Sequence, residues 1–175
     1  RTQRANWIEV LRDTRDALEA ARDEYVADVE NALEALEAAR AEGSADEAED
    51  ARLCDNAARA FNEARRAAWD ARLTAPLATF NNAIECASTF ITETAEALRE
   101  KYDAKSERWQ MSDAGAAAET FVCEWETAAF DGFEAERPED IDADTDPQDI
   151  PTDPFDADLP EPAEELEALP EESET

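Results

Sequence analysis

The chain contains no histidine, and that absence excludes more chemistry than any other feature of it. Without imidazole there is no Ser-His or Cys-His nucleophile pair. The Glu-x-x-His di-iron set of helical bundles and the mixed Cys/His zinc site are excluded too. Glycine is nearly as scarce: Gly43, Gly115 and Gly132 stand singly, which leaves no Gly-rich phosphate loop. The three cysteines, Cys54, Cys86 and Cys123, form no Cys-x-x-Cys pair, and their odd, widely spaced count is not a disulfide framework. They are expected to be small buried hydrophobes. No apolar run approaches the roughly 18 residues of a membrane span, and no signal peptide is visible. The chain begins at Arg1 rather than Met, and within that limit a cytoplasmic location is expected.

Lysine is also rare, with Lys101 and Lys105 against 14 arginines among 16 bases. The 47 acids outnumber those bases and give a formal net charge of −31 at pH 7. The excess is uneven. Residues 1–111 carry 24 acids and 15 bases, net −9, whereas residues 112–175 carry 23 acids and only Arg137 as a base, net −22. Such a field repels nucleic acid and anionic lipid, so a charged partner is expected to be a basic protein surface. Salt adaptation of halophile type accounts for the same acidity without any partner.

Leu, Ile, Val and Phe together number 27 of 175, a composition that leans toward disorder at this net charge. Alanine restores the balance in the first part, with 33 in residues 1–133. Alanine is the best helix former and lets helices approach closely. A first helix is predicted from Ala5 to Arg40, with a heptad seam at Trp7, Leu11, Thr14, Leu18, Ala21, Tyr25, Val29, Ala32, Leu36 and Ala39 that carries one stutter. It ends at Gly43, with Ser44 and Glu47 as a capping box for a second helix over Ala45–Thr74. A short turn would make these two helices antiparallel neighbours. Pro76 is expected to open a third helix, seamed by Leu77, Phe80, Ile84, Ala87, Ile91, Thr94 and Leu98 and extended by Tyr102 and Trp109 toward Met111. Ser112 and Asp113 cap a fourth, shorter helix with a stripe of Phe121, Val122, Trp125 and Ala129. A weak echo links residues 13–25 with 93–105, but heptads alone produce such matches.

Beyond Glu134 the composition changes. Seven of the eight prolines lie at or after Pro138, and bulky apolar residues become isolated. Residues 134–175 are predicted to be a disordered acidic tail, apart from a short helix after Pro162 carrying Leu166 and Leu169. Asp142, Asp144 and Asp146 alternate as at the start of a calcium loop. The positions that need a glycine and a bidentate Glu hold Pro147 and Asp153 instead, so no specific metal site and no cofactor is expected. Ile150, Phe155 and Leu159, spaced by prolines and acids, have the form of a docking motif, with a solvated spacer as the alternative. Trp109 and Trp125 flank the joint between the third and fourth helices, where an aromatic is either core or interface anchor.

The run "KSERWQMSDAG", Lys105 to Gly115, resembles a Ser-Glu-Arg/Lys-Trp-Gln run of small uncharacterised helical proteins of phages and plasmids, with Met111 in place of a polar residue. The resemblance implies a mobile-element context and carries no activity or site residue with it.

The sequence therefore predicts an all-α protein: an elongated antiparallel helical hairpin or bundle of three long helices and one short, over residues 1–133, with coiled-coil character. The expected function is non-enzymatic. An acidic interaction protein, in its sharpest form a nucleic-acid-mimic inhibitor or adaptor, would use Trp109, Trp125, Ile150, Phe155, Leu159, Leu166 and Leu169 against a basic, nucleic-acid-binding protein. The alternative is a coiled-coil scaffolding subunit, a homo-oligomer joined along Leu77, Phe80, Ile84, Ile91 and Leu98, whose acidity only confers solubility.

Overall fold

In the computed structural model, residues 2–171 are described, and none of them is in a strand. The chain is all-α. Helix α1 (Gln3–Glu42) is followed by α2 (Glu47–Ala68), a π-helical turn (Trp69–Leu73), α3 (Thr74–Asp103), the one-turn α4 (Glu107–Gln110), α5 (Asp113–Thr127) and α6 (Pro162–Ala168). Among the described residues, no helix is long and apolar enough to cross a membrane.

Two compact units divide the chain. Unit 1 is drawn from the described parts of Arg1–Arg15, Phe80–Phe133 and Pro160–Thr175; unit 2 from Asp16–Thr79 and Glu134–Leu159. In unit 2, Leu18, Ala21, Tyr25, Val29 and Leu36 of α1 are buried, each on the stripe expected from spacing. Ala57, Ala58, Phe61, Ala68, Trp69 and Leu73 are buried in the same unit, and the Tyr25 and Trp69 rings meet edge to face at 6.0 Å. Arg72 ties the same helices outside the core through Asp28 at 2.9 Å and Glu24 at 3.0 Å. In unit 1, Phe80, Ala83, Ile84, Ala87, Ile91, Ala95 and Leu98 of α3 are buried together with Leu11, Val122 and Trp125. Phe90 meets Trp125 edge to face at 6.3 Å.

Three local expectations change. Gly43 does take the left-handed conformation, φ +50°, that ends α1. The cap of α2, however, is Asp46, whose side chain accepts from the Ala48 N–H, while Ser44 Oγ is engaged by the Asp46 N–H and Glu49. Asp46 stands directly before Glu47, where a side-chain oxygen reaches the orphan N–H groups of the first turn, whereas Ser44 lies two residues outside that position. Pro76 starts no new helix, because α2 runs through the π-helical turn directly into α3. There the Thr74 N–H reaches back to the Trp69 carbonyl, five residues away, and this wider turn accommodates a proline two residues on. Finally α3 stops at Asp103 instead of extending to Met111, and Ser106 caps the separate turn α4.

The largest difference lies past Glu134. Residues 134–171 are not a disordered tail; they are laid against the helices, with Ile150, Phe155, Leu159, Ala163 and Leu166 buried. Composition suggested disorder because it counted only the segment's own apolar residues. Those residues are few, but Ile150, Phe155, Leu159 and Leu166 are buried all the same, and the helices' arginines meet the segment's polar groups. Residues 172–175, the end of the expected tail, lie outside the described residues. The short helix after Pro162 is present as α6.

Candidate functional site

The segment is held chiefly through its main chain. In unit 2, the Asn62 side-chain amide forms a two-bond clamp on Ile141: the Ile141 N–H donates to Oδ1 at 2.9 Å and Nδ2 donates to the Ile141 carbonyl at 3.0 Å. One turn further along α2, the buried Arg65 donates to the Glu139 carbonyl and stacks on the Phe61 ring at 5.2 Å. Burial lowers its guanidinium pKa from the usual arginine value, and the same burial raises the Tyr25 hydroxyl. Arg66 pairs with Asp140 at 3.0 Å. From α1, Arg40 donates to the carbonyls of Ala143, at 2.8 Å, and Thr145. Arg22 grips the Asp153 carboxylate and lies over the Phe155 ring at 5.5 Å. The hydrogen bond from Arg22 holds the Asp153 carboxyl below the ordinary aspartate value, against a smaller opposing effect of desolvation.

Unit 1 uses the same devices. Asn81 of α3 clamps Phe133, accepting from its N–H at 2.7 Å and donating to its carbonyl at 2.9 Å. Arg4 of α1 caps the end of α6, donating to the carbonyls of Leu166 at 2.8 Å and Glu167 at 2.9 Å. The last carbonyls of a helix have no partner within it, so a cation there satisfies them and meets the negative end of the dipole. The Trp125 indole N–H donates to the Pro170 carbonyl at 3.2 Å, with Arg4 over its ring at 5.6 Å. Arg12 pairs with Glu167 at 2.6 Å, and Arg15 bonds the Pro160 carbonyl at 3.0 Å. Among the described residues, helix arginines 4, 12, 15, 22, 40, 65 and 66 thus bind the segment.

The residues singled out from sequence therefore fall inside rather than outside. Trp125, Ile150, Phe155, Leu159 and Leu166 are buried, and Leu169 is half-buried. Trp109 is half-buried between Tyr102, edge on at 6.0 Å, and Lys105, 5.7 Å over its ring. Phe80, Ile84, Ile91 and Leu98 are buried within unit 1, and Leu77 is half-buried in unit 2, so α3 offers no bare seam of these residues. Cys123, expected inside, is exposed, and Arg99 reaches its sulfur at 3.8 Å; Cys54 and Cys86 are half-buried.

The Ser106–Gly115 run builds a tight joint. Ser106 caps α4, the Gln110 amide satisfies the Tyr102 and Lys105 carbonyls, and Ser112 caps α5. Gly115 packs so closely that a Cβ there would lie 2.3 Å from the Trp109 carbonyl oxygen. This joint leaves Met111 88% exposed.

What the segment turns outward is carboxylate. Asp142, Asp144, Asp146, Asp149, Asp156 and Asp158 are exposed, while Ile150, Pro154 and Phe155 between them and Leu159 after them are buried. The alternation of Asp142, Asp144 and Asp146 reflects a turn, closed by the Thr145 N–H on the Asp142 carbonyl, rather than a calcium loop. Among the described residues, no three His, Cys, Asp or Glu side chains converge in a way that could hold a metal ion. In unit 1 a shallow groove of about 390 Å³ is floored by Ile91, Ala95 and Trp125, and the Arg99–Glu126 ion pair at 2.6 Å crosses it.

Asn62 and Asn81 escaped the sequence reading, although a signal was there. Each follows a phenylalanine of the buried stripe, Phe61 and Phe80, so each amide sits at the rim of the core where it can reach the overlying chain. No protein-family model, no curated protein and no solved structure matches this chain.

Proposed function

We propose that the protein is a non-enzymatic, acidic interaction protein that binds a basic protein surface, with its carboxylates standing in for the phosphates of a nucleic acid. The observation that carries this reading is the outward row of Asp142, Asp144, Asp149, Asp156 and Asp158 on a backbone fixed from beneath. A carboxylate on held backbone loses less freedom on binding than one on a flexible tail, so more of its interaction appears as affinity. The aromatics take a different part from the one expected of them: Phe155 and Trp125 anchor the segment, and the partner meets charge. Specificity then rests on the positions of the acids, and association is steered and salt-dependent.

The test compares the full chain with a variant in which Asp142, Asp144, Asp149, Asp156 and Asp158 are changed to Asn. Both serve as bait in source-cell lysate at low and at molar salt. A basic, nucleic-acid-binding partner that is lost with the variant and with salt supports the reading. Retention of the same partner by the variant at molar salt sinks it.

A further inference from the structure

The helical face beneath residues 139–155 in unit 2 has the chemistry of a peptide-binding groove, and the structure shows its occupant. Asn62 supplies a donor and an acceptor to one residue's N–H and C=O, Arg65 supplies a donor to the Glu139 carbonyl, and Arg40 supplies donors to two further carbonyls. All of these read main chain, as edge strands do when they capture extended peptides. Side chains are read at few places: Asp140 by Arg66, Asp153 and Phe155 by Arg22, and the buried Ile150 and Leu159. A ligand for this face is therefore an irregular acidic peptide with apolar anchors spaced by several residues.

On its N-terminal side the occupant reaches the groove through a short unclamped stretch, and on its C-terminal side it runs on into Pro160 and α6, held in unit 1 by Arg15 and Arg4. Asn81 pins Phe133, the next main-chain clamp falls at Glu139 and Ile141, and the residues between are non-helical. Of these, Arg137 is tied to Asp70 only by an exposed ion pair, of a kind that contributes little to stability.

We propose that the occupant is exchangeable, and that the stretch beyond Phe133 of a second copy of this chain can take its place, giving a segment-exchanged dimer. A second copy is the occupant that fits, because it presents Glu139, Asp140, Ile141, Asp153 and Phe155 at the register the groove holds. Exchange of an identical element needs no new interface. The chain's own segment competes at a millimolar effective concentration, so exchange is a high-concentration state or follows transient release. This inference does not depend on the basic partner proposed above.

The experiment uses the full chain with a specific protease site inserted after Glu134 and cut only after folding. A fluorescent peptide of residues 135–171 is added, and anisotropy is followed together with far-UV circular dichroism. Entry of the peptide with release of the cut segment and unchanged helicity is the expected result. Affinity should fall at least tenfold for the peptide with Phe155→Ala and for a cut chain with Asn62→Ala. In parallel, uncut tagged and untagged chains mixed at high concentration should co-purify as a dimer by light scattering. Loss of helicity on cutting would overturn the proposal by making the segment part of the core. No exchange over days, even in molar salt, would overturn it as well, as would a peptide indifferent to Asn62→Ala.

Discussion

Unit 1 and unit 2 solve one problem with one pair of tools and differ in where the charge is placed. Each lays non-helical chain across helices, clamps one residue's N–H and C=O with an asparagine, and meets exposed carbonyls with an arginine. In unit 1 the arginine cap sits on a helix end, α6, and Trp125 adds an uncharged donor. In unit 2 the segment is irregular, and a carboxylate–guanidinium pair, Asp153 with Arg22, fixes its aromatic anchor. The difference teaches that asparagine pins one residue by both main-chain groups and arginine gathers carbonyls in either unit, whereas a carboxylate–guanidinium pair is added in unit 2 where an aromatic anchor must be oriented.

The sharpest way to break the comparison is to remove one anchor from each unit. Phe155→Ala in unit 2 and Leu166→Ala in unit 1 should each lower the unfolding free energy by about 3 kcal/mol, read from urea denaturation. An unchanged midpoint for either would mean that its segment detaches before the helices unfold. Next comes Gly115→Ala, which forces a Cβ into the Trp109 and Gln110 carbonyls and should cost about 2 kcal/mol or more, with the damage confined to unit 1. Amide exchange should quicken in α5 and stay unchanged at Ile141.

The asparagine clamps sharpen the comparison further. Asn62 is 7% exposed, so Asn62→Ala leaves the Ile141 N–H and C=O without a ready water and should cost about 2 kcal/mol. Asn81 is only part-buried, so Asn81→Ala should cost about 1 kcal/mol. Hydrogen exchange should quicken at Ile141 in the first variant and at Phe133 in the second, and a swapped pattern would refute the clamp assignment.

Acid should separate the units by a smaller amount. Asp153 has a depressed pKa in the folded chain, so its contribution is present above the unfolded aspartate value, near 3.9, and is lost as pH falls through the folded value. Phe155 should loosen on acidification in that window, followed by its ring resonances, and Asp153→Asn should remove the transition. The smallest effect is expected for Met111→Ser, within about 0.5 kcal/mol, because that side chain is exposed.

The sequence made the helical stripes legible because burial there follows spacing alone: Leu11, Leu18, Tyr25, Val29 and Leu36 on α1, and Phe80, Ile84, Ile91 and Leu98 on α3, are all inside. It did not make the joint at Pro76 legible, because proline signals a break and only the preceding π-helical turn removes the clash. It concealed the order of residues 134–171 for a different reason. Arginines on a helix read as solvated charge until the chain that covers them is placed. Asn62 and Asn81 read as ordinary polar positions, since a main-chain partner leaves no trace in its own side chain.

That last point has a consequence for how this chain can drift. A hold on the main chain is blind to the side chain it carries, so Glu139 and Ala143, gripped by their carbonyls, are free to be rewritten, whereas Thr145 is not, because its hydroxyl accepts from the Asp142 N–H. A clamp on N–H and C=O is intolerant of one residue, because proline has no N–H to give at 133 or 141. The segment's prolines at 138, 147, 151, 154, 160, 162 and 170 all avoid both positions. A library of random substitutions should accept most residues at 133 and 141 and reject proline at both, a grammar written in missing hydrogens rather than in preferred residues.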